Sequence, residues 1–293
     1  MDWTNLGNWI AANTDFTPLV ESRKSVGGGC INEAWVISTS NDRRIFVKVN
    51  SRQNFDLFEA EIRGLLQLRE AGAIRVPEPY ACGAVGDHAI LVMEAVTPFS
   101  WQDAGHQSRL GRQLAELHEV TSTDGTFGNT YQNHIGRTPQ NNEPSANWAD
   151  FFAQRRIDFQ LQLAAKNGWN IEERAELLCV VREILNGAGA SEGSLLHGDL
   201  WSGNVAFDES GNPVIFDPAC YFGDREAEIA FTRMFGGFSP AFYRAYREIH
   251  PLPEREALLH RLYNLYHELN HFALFGGGYR QQAAETIRLI LAS

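Results

Sequence analysis

Leu196-His197-Gly198-Asp199-Leu200-Trp201-Ser202-Gly203-Asn204 is the most informative stretch of the chain. Its polar anchors, Asp199 and Asn204, stand five residues apart. At that spacing a carboxylate can accept the proton of an attacking hydroxyl while a neutral amide oxygen coordinates Mg²⁺. A second acid, Asp217, lies thirteen residues beyond Asn204 and ends the apolar run Val214-Ile215-Phe216. A hard carboxylate there can hold Mg²⁺ and bridge it to phosphate oxygens. The β-favouring runs Val205–Phe207 and Val214–Phe216 flank a Glu209-Ser210-Gly211-Asn212 turn, and a hairpin this short returns Asp217 beside Asn204. Taken singly, Asp199 capping a turn and Asp217 ending a strand would carry no chemistry. Their order, with β runs between them, argues for a phosphate-handling site.

Upstream, Val26-Gly27-Gly28-Gly29-Cys30 lies between two predicted strands. Adjacent glycines let the backbone approach a phosphate and aim N–H groups at it. The pattern is neither G-x-G-x-x-G nor a P-loop, and alone it reads as an ordinary glycine hairpin. Lys48 then interrupts the apolar run Ile45–Val49. Such a lysine either snorkels from an edge strand or meets an anion, here the α/β-phosphates of ATP. It also needs a helix carboxylate to orient it. Glu59 and Glu61 both flank the apolar stripe of the predicted helix over 55–71, and periodicity does not choose between them. Ala89–Glu94 reads as a buried strand leading into a link. Met93–Val96 can offer backbone groups to adenine, although plain core packing is the more economical reading of the apolar residues.

The remaining chain bounds these readings. It has 293 residues, 25 Lys+Arg against 36 Asp+Glu, and a formal net charge of −11. That balance argues against nucleic acid as a partner, since a phosphate backbone is held by clustered cations. Four scattered cysteines form neither a C-x-x-C pair nor a disulfide framework. The Met1-Asp2-Trp3 start does not resemble a signal peptide, and no apolar run reaches membrane-span length. The expectation is a reduced, soluble, cytoplasmic protein without a membrane partner.

Residues 1–95 look strand-rich, with runs at Val20–Ser25, Ala34–Ser38, Arg44–Asn50, Pro79–Gly83 and His88–Glu94 and one helix. Beyond residue 100 the pattern is mostly helical, with candidates at 107–119, 147–166, 171–186, 224–235, 240–249, 254–274 and 279–292. The Asn/Gly/Pro-rich stretch 121–146, with Asn129, His134 and Arg137, reads as a long loop of open role. The fold class is therefore α+β and two-lobed. A strand-rich N-terminal lobe covers 1–95, and a mainly helical C-terminal lobe covers 96–293.

With these segments in hand, the chain resembles the fructosamine kinase (ketosamine-3-kinase) family, within the group that includes aminoglycoside and choline kinases. The resemblance is carried by GGGCIN (27–32), FVKVN (46–50), FEAEIRGLL (58–66), LVMEAV (91–96), LLHGDLWSGNVAF (195–207), IFDPACYFGDREAEIA (215–230) and LYNLYHELNHFALFG (262–276). It implies a protein-kinase-like fold and transfer of the ATP γ-phosphate to the 3-hydroxyl of a ketosamine. The acceptor is a fructosamine, ribulosamine or erythrulosamine, either free or on a glycated protein lysine, and the reaction serves deglycation repair. Position by position, the resemblance gives Gly27, Gly28, Gly29 and Lys48 to the phosphates, and Glu61 as the partner of Lys48. It gives Met93, Glu94 and Ala95 to adenine, Asp199 as base, and Asn204 and Asp217 as Mg²⁺ ligands. Trp201, Asp224, Arg225, Glu226 and His271 lie in the family's own segments and are candidates for the sugar site.

Gly198 stands where protein kinases carry Arg, and Asp217-Pro218-Ala219 replaces D-F-G. Both departures argue against activation-loop control, and the lack of an A-P-E segment argues against a protein Ser/Thr kinase. Cys30, at the hairpin tip, is a candidate redox switch, because a nearby cation or N–H nest lowers a thiol pKa. Two other readings compete. One is a kinase of the same fold acting on an aminoglycoside, a choline-like amine or another sugar. The other is a non-catalytic nucleotide-binding scaffold, which has no physical reason to keep Lys48, Asp199, Asn204 and Asp217 together.

Overall fold

The computed structural model describes residues 1–27, 32–97, 103–190 and 192–293. The N-terminal lobe is built on a five-stranded antiparallel sheet. Its strands are β1 (Lys24–Val26), β2 (Glu33–Ser38), β3 (Arg44–Ser51), β4 (Pro79–Val85) and β5 (His88–Glu94), in the order β1-β2-β3-β5-β4. Half of the predicted Val20–Ser25 strand is instead a single 3₁₀ turn, Val20–Ser22. Helix α1 (Trp3–Asn13) is not anticipated by the strand-rich reading, because Asn, Thr and Gly interrupt its apolar stripe. It buries Leu6 and Ile10 against Ile37, Ile45, Val47, Val49, Ile90 and Val92 on one face of the sheet.

Side chains alternate along β3, so Phe46 and Lys48 point to the opposite face. There lies α2 (Phe55–Ala71), which Gly72 stops in the left-handed region at φ +69°. Phe58, Leu65 and Leu68 of α2 join Leu91 and Met93 of β5 in a core that continues into the helical lobe through Leu110, Leu114, Phe207, Ile215 and Phe242. One apolar cluster thus spans both lobes and sets α2 above the cleft.

The helical lobe begins with α3 (Ala104–Leu117). The stretch 121–146, expected as loop, contains a hairpin of β6 (Asn133–Ile135) and β7 (Thr138–Gln140). Next come α4 (Trp148–Phe151), a π-helical stretch over Phe152–Asp158, α5 (Phe159–Lys166) and α6 (Arg174–Ala188). Strand β8 (Ser194–Leu196) leads into the Asp199 loop. The hairpin β9 (Val205–Phe207) and β10 (Pro213–Ile215) follows it, and then β11 (Tyr221–Gly223) returns to pair with β8. Helices α7 (Arg225–Thr232), α8 (Pro240–Arg247), α9 (Glu256–Phe275) and α10 (Tyr279–Leu291) complete the chain. Among the described residues, no helix is long and apolar enough to cross a membrane.

Candidate active site

Lys48 lies on the middle strand of the sheet, which removes the edge-snorkel reading. It is buried, and its Nζ donates to Glu61 Oε1 at 2.6 Å and to Asp217 Oδ1. Burial lowers the Lys48 pKa, but the charges of Asp217 and Glu61 and their hydrogen bonds outweigh it and hold the ammonium above its usual range. Burial pushes Glu61 up, against the pull of Lys48. Glu59, the rival acid on α2, is exposed.

The β9–β10 register pairs Ile215 with Val205, and Phe216 N donates to Asn204 O at 3.1 Å, which brings Asp217 back beside Asn204. Asp217 adopts φ +60°, an uncommon conformation for a non-glycine residue. Asn204 Nδ2 donates to Asp199 O at 2.8 Å and to Asp199 Oδ2 at 3.3 Å. Lys48, Glu61, Asp199 and Asp217 line one cleft, together with Asn32 and with Asn133, His134 and Gly136 of the β6–β7 hairpin. Burial, with Asp217 adding to it, raises the Asp199 carboxyl well above the usual carboxylate range.

Beneath the cleft, a polar scaffold fixes the Asp199 loop. The fully buried His197 ring meets Phe216 O through Nε2 at 3.0 Å and accepts from Asp199 N through Nδ1 at 3.3 Å. One ring thereby ties the Asp199 loop to the residue before Asp217, and burial lowers its pKa, which favours this neutral tautomer. Glu228 of α7 accepts from Gly198 N at 2.7 Å and from His197 N at 3.2 Å. His118 Nε2 lies 3.0 Å from the same carboxylate, and its Nδ1 lies 2.7 Å from Tyr246 Oη. Sequence reasoning gave no role to His197, Glu228 or His118. The available signal was Glu228 itself, an acid inside the apolar run Ala227–Phe231, since a buried charge requires partners.

Gly198 has φ +83°, and a Cβ there would lie 2.1 Å from Ala219 O. Gly198→Ala is therefore expected to cost about 3 kcal/mol or to displace the loop. Urea unfolding checks this, and a variant as stable and as active as the parent would refute it.

Met93 is buried within β5, and Glu94 N donates to Glu78 O at 2.8 Å while its carboxylate is engaged by Arg75. Gly27 is exposed at the end of β1 and Ala95 follows β5, whereas Gly28, Gly29 and Cys30 lie outside the described residues. Trp201 meets Phe235 edge-on at 5.5 Å, and Phe235 meets His271 at 5.4 Å, so an aromatic path runs from the Asp199 loop across the helical lobe. Asp224 caps α7 and accepts from Tyr263 Oη at 2.6 Å. Glu226 pairs with both terminal nitrogens of Arg247, at 2.6 and 2.7 Å, and Nε2 of His260 lies 3.1 Å from it. Among the described residues, Arg225 Nε is buried without a hydrogen-bond partner. Asp224 and Glu226 thus belong to a buried network of the helical lobe and do not line the cleft that holds Lys48.

A small antiparallel sheet over a helical lobe, with a buried Lys–Glu pair above an Asp/Asn/Asp cleft, defines a kinase-like protein. A solved structure from Haemophilus somnus 129PT, provisionally named a fructosamine-3-kinase, is 28% identical with a TM-score of 0.89, over 99% of this chain and 97% of that one. A thermostable mutant of the aminoglycoside phosphotransferase APH(4)-Ia, in ternary complex with ADP and hygromycin B, shares the fold at 15% identity and a TM-score of 0.64, over 98% of each chain. In sequence, a probable ketoamine kinase of Synechocystis sp. is 40% identical over 99% of this chain and 97% of that protein. The chloroplastic protein-ribulosamine 3-kinase of Arabidopsis thaliana is 39% identical over 95% of this chain and 85% of that protein. The family model described as fructosamine kinase matches residues 2–293. The chain belongs to the fructosamine kinase family.

Proposed function

We propose that the protein is an ATP- and Mg²⁺-dependent ketosamine 3-kinase, with 1–95 as its ATP-binding lobe and 96–293 as its catalytic and substrate lobe. The observation that carries the reading is the meeting of Lys48, Glu61, Asp199 and Asp217 in one cleft, with Asn204 bonded to Asp199, in a chain of this family. Lys48 binds the α/β-phosphates, and Glu61 keeps its ammonium aimed at them. Asp199 accepts the proton of the ketosamine 3-hydroxyl as the new O–P bond forms. The bond from the γ-phosphorus to the β-phosphate oxygen breaks, and ADP leaves. Burial, which raises the Asp199 pKa, also makes its ionised form a stronger proton acceptor.

The donor set suits Mg²⁺. Among the described residues, both hydrogen bonds of the Asn204 side chain leave from Nδ2, which keeps Oδ1 available as a hard ligand beside the Asp217 carboxylate. No group of three or more His, Cys, Asp or Glu side chains among those residues could hold a metal ion alone. Two protein ligands completed by phosphate oxygens is the usual Mg²⁺ arrangement at a nucleotide. When bound, the ion supplies charge neutralisation on the phosphates. Trp201, on the Asp199 loop, is the ring we assign to the amine-bearing part of the acceptor, with Phe235 and His271 packed behind it.

The test is ADP release from Mg²⁺–ATP with fructosyl, ribulosyl and erythrulosyl amines, beside an aminoglycoside and a choline-like amine. Turnover is expected on at least one ketosamine. Turnover confined to the other acceptors would replace this reading with a kinase of different substrate.

A further inference from the structure

The chemistry above asks α2 to present Glu61 to Lys48, yet α2 belongs to the sheet lobe while Asp199 and Asp217 belong to the helical lobe. The segment 129–142 bridges the two. Its contacts run along one flank of α2. Nε2 of His134 lies 3.4 Å from Asp56 Oδ2, the Arg63 guanidinium lies 5.9 Å from the Tyr131 ring centre, and Gln67 Oε1 accepts from both Asn129 Nδ2 at 3.0 Å and Tyr131 Oη at 2.9 Å. Asp56, Arg63 and Gln67 stand at i, i+7 and i+11, a single stripe of a helix.

The same segment grips the chain just after Asp217. Cys220 O accepts from Asn129 Nδ2 at 3.1 Å and from Asn133 Nδ2 at 2.8 Å, and Ala219 O accepts from Gln140 Nε2 at 3.1 Å. Asn133 Oδ1 is itself held by Gln140 and Asn142, each at 2.8 Å. Alternation along β6 buries Asn133 and Ile135, which anchors the hairpin in the helical lobe. From the other side, Gly64 of α2 touches the turn directly: a Cβ there would lie 2.9 Å from Pro218 Cγ.

We infer that segment 129–142 is a built-in strut and that Gln67 is a positioning residue, holding α2 where Glu61 meets Lys48. The Asn129 amide is the hinge point, since one Nδ2 reaches both Gln67 on α2 and Cys220 O after Asp217. The segment thereby ties Glu61 and Asp217, the two carboxylates that share Lys48, into one frame.

The inference rests on the role proposed above for Lys48 and Glu61, and a double-mutant cycle separates the two. Gln67→Met removes the acceptor at similar length and is expected to lower kcat/KM for ATP about tenfold, the weight of roughly one hydrogen bond. Gln67→Glu keeps an acceptor oxygen and should stay within about twofold of the parent. In a Glu61→Gln background, Gln67→Met should add less than about twofold, because a residue acting through Glu61 has nothing left to position. If Gln67→Met proves poorly folded by thermal melting, Tyr131→Phe, which removes one of the two donors, takes its place with an expected loss of about threefold. Full additivity of the two substitutions, or no loss in either strut variant, would overturn the strut alone. A Glu61→Gln enzyme with unchanged kcat/KM would overturn the pair's role and the strut with it.

Discussion

Asp199→Asn is expected to lower ketosamine turnover by about a thousandfold while leaving the nucleotide dissociation constant within about threefold of the parent. The substitution removes the proton acceptor and little else. General-base groups contribute about 10²–10⁴ in rate, and phosphoryl transfer draws the rest from positioning and charge neutralisation, which Lys48 and Asp217 retain. Asn is nearly isosteric with Asp, and the backbone N–H of Asp199 stays bonded to His197 Nδ1. Asn204 keeps its bond to Asp199 O even where the 3.3 Å contact to the carboxylate changes character. Single-turnover ADP formation and calorimetric titration with ADP separate the two effects. A variant that keeps its full rate would remove Asp199 as base, and one that loses nucleotide affinity in step with its rate would make it a binding group.

Much of this cleft's geometry was legible in the sequence, for reasons that differ residue by residue. The β9–β10 hairpin is local, so the spacing between Asn204 and Asp217 encoded their meeting directly. Lys48 was legible as an anomaly, a cation in the middle of an apolar strand. Its partner was not, because Glu59 and Glu61 are equivalent by phase and only packing against the sheet distinguishes them. The hairpin inside 121–146 escaped because its strands have three residues each and are held by side-chain amides more than by a ladder. Asn129, Asn133 and Gln140 read as loop composition when their partners, Gln67 and the 219–220 carbonyls, cannot be seen. Helix α1 escaped for a related reason: its burial is decided by the sheet face it covers. The Trp201–Phe235–His271 path likewise joins the Asp199 loop to α9, which begins only at Glu256, and no local pattern foretells it.

The second large effect belongs to a residue that touches no substrate. Glu228→Gln is expected to destabilise the fold by about 3 kcal/mol at neutral pH, a fall in Tm of about 6–10 °C. The carboxylate accepts from Gly198 N, His197 N and His118 Nε2 at once, and it is almost wholly buried, at 3% exposure. A primary amide offers one oxygen and turns its –NH₂ toward donors, so at least one buried N–H loses its acceptor. Burial by itself would raise the Glu228 pKa, but the His118 hydrogen bond and neighbouring charge outweigh it and hold the carboxyl below its ordinary 4.5. A folded pKa below the unfolded one means that the group stabilises the fold fully above about pH 4.5, and that this contribution is lost as pH falls through the folded value. The stability gap between parent and variant should therefore be constant near neutrality and narrow in acid. Urea unfolding of both proteins at pH 7 and at successively lower pH measures it. A gap that is absent at pH 7, or that widens as the pH falls, would show that Glu228 does not carry the Asp199 loop as a charged acceptor.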